Sequence, residues 1–338
     1  MLRISILKLG KHEIDFGKPV FVVAEAGINH NGDIEIAKKM IESASKCGAD
    51  AIKFQTIITK ELFSEILNPE VIDFANKVSF NRKQHLELMK YANRHGLEFF
   101  STPVGKKSAE LLKSINVKSI KIASGEITNH EMIKIIAKMK KPMIISTGMT
   151  TISEIADVVE IVRSENCPFV LLHCNASYPT PIGDVNLNTI PYLHATFDVP
   201  IGYSDHTIGN ESCLAAVSLG ACIIEKHFTL DKNMEGPDQK LSADIADFTE
   251  LVSKIRIVEK TLGKHRIGPT KSEEKFKKLM RKSIGTSTNI RAGTKIKRSM
   301  LSIIRPETGI SPIMLDKVVG MTIMKNAKKG TLLSWDMF

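Results

Sequence analysis

The sequence predicts an α/β protein, a (β/α)8 or TIM barrel followed by a small β-rich domain. Eight short apolar runs alternate with amphipathic segments between residues 21 and 263. Strands that alternate with helices of about 10–15 residues indicate parallel βα units, and eight such units make a closed barrel of roughly 250 residues. After Gly263 the pattern changes to short apolar pieces separated by Gly and Pro, which is typical of turns and short strands.

Each predicted strand is an apolar run of about four to eight residues bounded by Gly, Pro or polar residues. Amphipathic helices are predicted at 34–48, 82–96, 151–165 and 247–263, and residues 57–81 are predicted to be irregular. An open doubly wound sheet is the alternative, but no strand is followed by the Gly-rich dinucleotide turn that such a sheet would carry. The strands are FVVAEAG (21–27), DAIKFQT (50–56), LEFFSTP (97–103), VKSIKIAS (117–124), KPMIISTG (141–148), CPFVLLHC (167–174), DVPIGYSD (198–205) and GACIIEKHF (220–228).

The predicted domains are the barrel at 1–263, a polar, basic linker at 264–282 and the β-rich domain at 283–338. The formal net charge is +10, and residues 262–338 carry 17 Lys and Arg against 5 Asp and Glu. A basic tail attracts anions in general. Its single Trp and two Phe offer few platforms for stacking bases, so no nucleic-acid partner is expected.

No apolar run approaches the roughly 18–20 residues that cross a bilayer, and the N-terminus lacks the features of a signal peptide. The five cysteines are scattered without a CxxC pair, which suits a reducing compartment and predicts neither a disulfide framework nor a zinc site. We therefore expect a cytoplasmic protein without a membrane partner.

Polar residues stand at the carboxyl end of every predicted strand, where TIM barrels carry their catalytic groups. Burying so many polar groups is costly unless a ligand or water meets them, so their coincidence indicates an active site. In strand order they are Glu25; Lys53 and Gln55; Ser101 and Thr102; Lys121, Ser124 and Glu126; Ser146 and Thr147; His173 and Asn175; Ser204, Asp205 and His206; and Glu225 and His227.

The histidines that end the last two strands, His206 and His227, are candidate metal ligands. Neighbouring strands lie about 4.8 Å apart, so two imidazoles there can share one ion at about 2.1 Å each. The spacing equally allows two hydrogen-bonded histidines without a metal. Oxygen from water and substrate would have to complete the coordination, which favours Mn²⁺ or Mg²⁺ over structural zinc.

The two barrel lysines, Lys53 and Lys121, are suited to an anionic ligand. Together with strand-end hydroxyl groups they can bind a phosphate and a carboxylate. A barrel lysine also allows a Schiff-base aldolase that acts through Lys53. The histidine pair argues against this alternative, because such aldolases need no metal. The hydroxyl groups are those of Thr102, Ser124, Ser146 and Ser204.

Several segments resemble the bacterial and archaeal N-acetylneuraminate (sialic acid) synthase family. They are AEAGINHNGDIEIAKKMI, GADAIKFQT, FFSTP, KIASGEI, ISTGM, LLHCNASYPTP, IGYSDHT and EKHFTL…GPDQKLS, and they cover all eight strands. The tail, with RAGTKI, IIRPETGISP and VVGM, resembles the antifreeze-like (SAF) domain of that family. The resemblance implies a TIM-barrel enzyme that joins phosphoenolpyruvate to an open-chain N-acetylmannosamine-type sugar, giving a nine-carbon 2-keto acid and phosphate.

The resemblance also implies roles for individual residues. His206 and His227 would bind the divalent metal, and Glu25 and Glu126 would face the sugar. Both glutamates are candidate catalytic residues, and Glu126 is our candidate for the base that takes a proton from water. Arg305 would reach the sugar from the partner subunit of a homodimer with swapped C-terminal domains. Phosphoenolpyruvate would be held by Lys53, Thr102, Lys121, Ser124, Ser146, Asn175 and Ser204, and the sugar by Gln55, Tyr178 and Asp238.

The chain departs from the family pattern at Ala176, where Asn is usual two residues before Tyr178, so Asn175 would serve from a shifted position. The segment FTLDKNMEGPDQKLS is equally typical of N,N'-diacetyllegionaminate synthases, which take a 2,4-diacetamido-2,4,6-trideoxy sugar. Both sugars therefore remain candidates. A third interpretation is a non-enzymatic sugar-binding or surface protein that acts through the tail, although the basic, charged tail makes ice binding unexpected.

Overall fold

The computed structural model describes residues 7–62, 69–264 and 266–338. The chain divides into two compact units, one up to Gly263 and one from Lys264 onward. Within the described residues, no helix is long and apolar enough to cross a membrane.

A short antiparallel hairpin precedes the barrel. Its strands are β1 (Leu7–Leu9) and β2 (His12–Ile14). Apolar side chains of the hairpin are buried in one cluster with Phe21 and Cys222, which lie where barrel strands begin. The hairpin therefore covers the amino-terminal end of the barrel with apolar groups, and polar chemistry is left to the opposite end.

Eight parallel strands close into a barrel, which confirms the predicted fold class. Each strand pairs with the next along the chain, and the last pairs with the first. Every predicted apolar run contributes one strand. The strands are β3 (Phe21–Gly27), β4 (Ala51–Thr56), β5 (Glu98–Pro103), β6 (Ile120–Ile122), β7 (Met143–Ser146), β8 (Phe169–Cys174), β9 (Ile201–Asp205) and β10 (Ile223–His227).

Helices follow the barrel strands and pack their apolar faces on the outside of the barrel. Most of them begin at a polar residue, and several begin with a side-chain N-cap, such as Asp33 before the first helix and Thr151 before the seventh. The helices are α1 (Ile34–Lys46), α2 (Thr59–Leu62), α3 (Pro69–Val78), α4 (Arg82–Arg94), α5 (Lys106–Ser114), α6 (His130–Ala137), α7 (Ile152–Ser164), α8 (Thr189–Phe197), α9 (Glu211–Ser218) and α10 (Ile245–Leu262).

The irregular stretch predicted at residues 57–81 was wrong in part, because α2 and α3 lie within it. Helix α3 begins at Pro69. Proline fits the first position of a helix, because the N–H group that it lacks would have no partner within the helix there. Residues 63–68 of the same stretch lie outside the described residues.

The strand faces that point into the barrel change from apolar to polar along their length. Because strand side chains alternate in direction, residues two apart share a face. On β3, Phe21 and Val23 belong to the interior apolar cluster and Glu25 follows them on the same face. On β10, Ile223 is followed in the same way by Glu225 and then by the histidine at the strand end. The sequence thereby places its charged groups at the carboxyl end of the barrel.

The second unit is small and has its own apolar core, which includes Ile284, Ile296 and Leu333. Its helices and strands are α11 (Glu274–Met280), β11 (Ser283–Thr286), β12 (Leu301–Ile304) and α12 (Leu315–Val318), with β11 and β12 antiparallel. The turn-rich, short-stranded character expected for the tail is confirmed. Residues 264–282, predicted to be a linker with some helix, belong to this unit and contain the helix α11.

Candidate active site

A cavity of about 300 Å³ opens at the carboxyl ends of the barrel strands. This volume lies at the lower end of the range for small-molecule sites. Residues of the predicted site that line it are Glu25, Lys53, Gln55, Thr102, Lys121, Ser124, Ser146, Tyr178, Ser204, His206 and His227. The other lining residues are Val104, Ala123, Gly125, Met149, Cys174, Ala176 and Glu225.

Two lysines and two glutamates form a buried charged cluster in the wall of this cavity. Lys53 Nζ lies 2.9 Å from Glu225 Oε1 and 3.4 Å from Glu25 Oε2. Lys121 Nζ lies 3.7 Å from the same oxygen of Glu225 and donates to Ser146 Oγ at 2.6 Å. All four charged side chains are at most 5% exposed. Glu225 therefore holds both lysines in place.

Burial and neighbouring charges shift the pKa values of this cluster in different directions. Burial raises the pKa of Glu25 to about 7, against the charge of Lys53. Burial would also raise the pKa of Glu225, but the charges of Lys121 and Lys53 outweigh it and bring that pKa to about 2. Burial lowers the pKa of Lys121 to about 8. Burial acts in the same direction on Lys53, but its two carboxylate neighbours raise the pKa overall, so Lys53 stays protonated.

Several buried polar atoms in the cavity wall have no hydrogen-bond partner within the part of the chain that the structure describes. They are Glu25 Oε2, Thr102 Oγ1, Glu225 Oε2 and His227 Nδ1. Buried polar atoms are normally bonded, so unbonded ones that face a common cavity indicate where a polar ligand or water would bind.

His206 and His227 face each other with their ring centroids 5.4 Å apart. His206 Nδ1 lies 2.6 Å from the carbonyl oxygen of Asn175, which can only accept, so Nδ1 carries the proton and Nε2 has a free lone pair. The ring of Tyr178 packs 4.0 Å from that of His206. Asp238 Oδ2 lies 3.9 Å from His227 Nδ1.

The histidine pair fits a divalent metal as far as its own chemistry goes. Burial lowers the pKa of His206 to about 4. Burial, with the positive charge of Lys53, lowers the pKa of His227 to about 3. Both rings are therefore neutral at pH 7 and can donate a lone pair. Across residues 7–62, 69–264 and 266–338, no three His, Cys, Asp or Glu side chains are arranged to hold an ion. An ion here would depend on water and substrate oxygen for its remaining ligands.

Some predicted site residues lie away from the cavity wall. Glu126 is half-buried, and its Oε2 accepts from Asn129 Nδ2 at 2.9 Å. The side chain of Asn175 instead bonds within its own loop, where Oδ1 accepts from the amide of Ser177 at 2.9 Å. These two residues follow strand ends, so loop conformation rather than strand periodicity directs their side chains.

Two further predicted residues sit outside the lining set for different reasons. Asp238 belongs to the loop after β10, and its Oδ2 lies 3.9 Å from Nδ1 of the lining residue His227. Arg305 belongs to the second unit, where its Nε donates to the carbonyl oxygen of Met280 at 2.9 Å.

Glu225 was noted at a strand end but was not included among the predicted site residues. The signal was present, because Glu225 lies two residues before His227 and therefore on the same face of β10. Cys174 and Met149 were also missed. Cys174 ends β8, and Met149 adopts a left-handed backbone conformation (φ 57°) at the cavity mouth, which sequence periodicity does not reveal.

A second buried ion pair lies directly beside the two histidines in the chain. Lys226 Nζ donates to Asp205 Oδ2 at 2.5 Å and to the carbonyl oxygen of Thr207 at 2.9 Å. Asp205 Oδ1 also accepts from Tyr203 Oη at 2.9 Å. Because Lys226 and Asp205 are paired across β10 and β9, their contact fixes the two strands from which the histidines project.

Breaking this pair is expected to destabilise the barrel. Lys226→Met leaves the Asp205 carboxylate buried without its cation, which should lower the free energy of unfolding by about 3–5 kcal/mol. Chemical denaturation followed by circular dichroism measures the change. The matched control is Lys18→Met, which removes a surface pair with Glu13 and should change little. Equal effects of the two variants would contradict the prediction.

A closed parallel barrel with buried lysines, carboxylates and histidines at the carboxyl ends of its strands is an enzyme architecture. Comparison with known proteins agrees. Residues 40–267 match the NeuB family, and residues 281–338 match the SAF domain. The chain belongs to the NeuB family of sialic-acid-type synthases, which are carbon–carbon bond-forming transferases, and carries a C-terminal SAF domain.

Individual relatives are similar along nearly the whole chain. An uncharacterized protein of Methanocaldococcus jannaschii is 42% identical over 98% of this chain and 98% of its own length. The N,N'-diacetyllegionaminic acid synthase of Campylobacter jejuni is 39% identical over 94% of this chain and 99% of its own length. The crystal structure of the N-acetylneuraminic acid (sialic acid) synthetase of Leptospira borgpetersenii, in complex with citrate, superposes with a TM-score of 0.76 at 38% identity. The matched region covers 80% of this chain and 94% of the Leptospira borgpetersenii chain.

Proposed function

We propose that the chain condenses phosphoenolpyruvate with the open-chain form of N-acetylmannosamine, giving N-acetylneuraminate and phosphate. The observation that carries the proposal is the pair of buried lysines, Lys53 and Lys121, beside the unbonded hydroxyl group of Thr102 in one cavity. Phosphoenolpyruvate carries a phosphate and a carboxylate, and two fixed cations with neighbouring hydroxyl donors suit both groups.

The chemistry balances with one water molecule. C3 of phosphoenolpyruvate forms a bond to the aldehyde carbon of the sugar, and water adds at C2. The resulting tetrahedral centre expels phosphate by cleavage of its C–O bond and leaves the 2-keto acid. A divalent metal held by His206 and His227 would supply a Lewis acid for the aldehyde oxygen.

The residues of the chain hold the substrates for these steps. Lys53 and Lys121 offset the anionic charge of phosphoenolpyruvate, and Thr102 Oγ1 is free to donate to it. A base must accept a proton from the attacking water. Glu126 is the candidate base from the sequence, but of these two glutamates Glu25 lines the cavity and Glu126 does not, so Glu25 is the better placed.

The second candidate substrate is 2,4-diacetamido-2,4,6-trideoxymannose. A deoxygenated sugar presents a methyl group in place of a hydroxyl group, and the cavity wall includes the apolar side chains of Val104, Met149 and Ala176. The similarity to the Campylobacter jejuni synthase supports the same choice. The Schiff-base aldolase is not favoured, because a lysine held between two carboxylates is protonated and therefore a poor nucleophile.

An assay with two sugars tests the proposal. The full chain is incubated with phosphoenolpyruvate, Mn²⁺ and either sugar, and phosphate release and the product mass are measured. We expect phosphate release only when a sugar is present, with one sugar preferred. If the folded protein releases no phosphate with either of the two sugars, the proposal is overturned. A borohydride-trapped adduct on Lys53 with pyruvate would support the aldolase instead.

The family resemblance further leads us to propose a homodimer in which Arg305 serves the sugar site of the partner subunit. Arg305 is exposed, so its guanidinium is accessible. Sedimentation of the full chain tests the dimer, and Arg305→Ala should raise the KM of the sugar without changing that of phosphoenolpyruvate. A monomer with unaltered sugar KM in the variant would overturn this part.

A further inference from the structure

The segment INHNG (28–32) follows β3 and contacts the loop that carries Asp238. We call residues 229–242 the Asp238 loop. The segment was part of the family resemblance, but none of its side chains was assigned a role. Its two asparagines, Asn29 and Asn31, both donate side-chain hydrogen bonds to the Asp238 loop or to the residue before it.

The inner contact is fully buried. Asn29 Nδ2 donates to the carbonyl oxygen of Phe228 at 2.9 Å and to Ser242 Oγ at 2.8 Å. Gln239 Nε2 donates to the carbonyl oxygen of Asn29 at 2.9 Å, and its Oε1 accepts from the hydroxyl group of Thr229. Asn29 and Gln239 are 2% and 0% exposed. These bonds connect both ends of the Asp238 loop to the segment after β3.

The outer contact lies at the surface. Asn31 Nδ2 donates to the carbonyl oxygen of Glu235 at 2.7 Å. Asn31 has a left-handed backbone (φ 51°), a conformation that asparagine tolerates better than most residues. The neighbouring position admits only glycine, because a Cβ atom at Gly32 would lie 2.1 Å from the carbonyl oxygen of Lys77. The segment therefore supports the Asp238 loop through the side-chain bonds of Asn29 and Asn31.

The support connects directly to the sugar end of the proposed site. Ser242, the acceptor of Asn29, donates through Oγ to the carbonyl oxygen of Asp238 at 2.6 Å. The Asp238 carboxylate in turn lies 3.9 Å from His227 Nδ1. A shift of the loop would therefore move Asp238 relative to the histidine.

We propose that Asn29, Asn31 and Gln239 are positioning residues that hold Asp238 in place for the amino sugar. This inference rests on the proposed function in one respect, namely that Asp238 contacts the sugar. Phosphoenolpyruvate is assigned to Lys53 and Lys121, so the positioning residues should serve the amino sugar rather than phosphoenolpyruvate.

Asn31→Gly tests the inference without threatening the fold. Asn31 is exposed, and glycine accepts the same left-handed backbone, so the substitution removes mainly the contact with Glu235. We expect the KM of the amino sugar to rise about tenfold, which corresponds to the free energy of one typical to strong hydrogen bond. The KM of phosphoenolpyruvate should stay within about twofold. Tryptic cleavage after the exposed Lys240 should become several times faster.

The matched control is Asn166→Gly. Asn166 is also exposed and left-handed (φ 49°), but it lies between α7 and β8 at the amino-terminal end of the barrel. Asn166→Gly should change neither the KM of either substrate nor the rate of tryptic cleavage. An unchanged sugar KM in Asn31→Gly, or an equal rise in both KM values, would overturn the inference. The cleavage rates need no substrate, so they test the contact even if the proposed function fails.

Discussion

Lys53→Met is expected to lower kcat/KM for phosphoenolpyruvate by at least about 10³-fold, or about 4 kcal/mol of transition-state stabilisation. Lys53 lies within 3.4 Å of Glu25 and 2.9 Å of Glu225. Without its amine, two buried carboxyl groups would face an anionic substrate with only Lys121 to offset them. Steady-state kinetics of phosphate release, with each substrate varied in turn, measure the loss.

Two further variants separate catalysis from folding. Lys118→Met removes an exposed lysine whose partner is Glu98, and it should leave the kinetics unchanged. Lys53→Met combined with Glu25→Gln removes the carboxylate that Lys53→Met leaves without its lysine, so the double variant should be more stable than Lys53→Met alone, yet equally inactive. If Lys53→Met kept more than about a tenth of the wild-type kcat/KM, the assignment of Lys53 to phosphoenolpyruvate would be refuted.

The barrel was predictable from the sequence because its strands are buried on both faces. Such strands appear as continuous apolar runs, for example FVVAEAG and CPFVLLHC, separated by amphipathic helices. Helices α2 and α3 were missed for other reasons. Helix α2 has only four residues, too few to show a period. Helix α3 does carry apolar residues at helical spacing, namely Val71, Ala75 and Val78, but Pro69 just before them suggests a break, although proline can also begin a helix.

The site was predictable where strand geometry alone directs a side chain. Lys53, Lys121 and Glu25 lie on inward faces of strands, so alternation and barrel closure suffice to bring them to one cavity. Glu126 and Asn175 come after strand ends, where short local turns decide direction. Their side chains bond to neighbours in their own loops instead, through contacts that periodicity does not encode.

The histidine pair is expected to be essential for activity. His206→Ala and His227→Ala should each abolish measurable activity and weaken Mn²⁺ binding at least about tenfold. Each variant leaves one imidazole in a site whose other ligands must come from water and substrate. Electron paramagnetic resonance of free Mn²⁺ measures binding without any turnover. In the wild type, EDTA should abolish activity, and Mn²⁺ or Mg²⁺ should restore it.

His194→Ala is the control for the loss of a histidine. Like His206, His194 bonds through Nδ1 to a backbone carbonyl oxygen, here that of Val199 at 2.9 Å, but it lies on α8, away from the cavity. This variant should bind Mn²⁺ and turn over as the wild type does. Full wild-type activity in chelator, or unaltered Mn²⁺ binding in both site variants, would refute the metal. The two lysines would then be the main positively charged groups in the cavity. The aldehyde would have to be activated by a proton donor, and the protonated form of Glu25 is the best-placed group for this role.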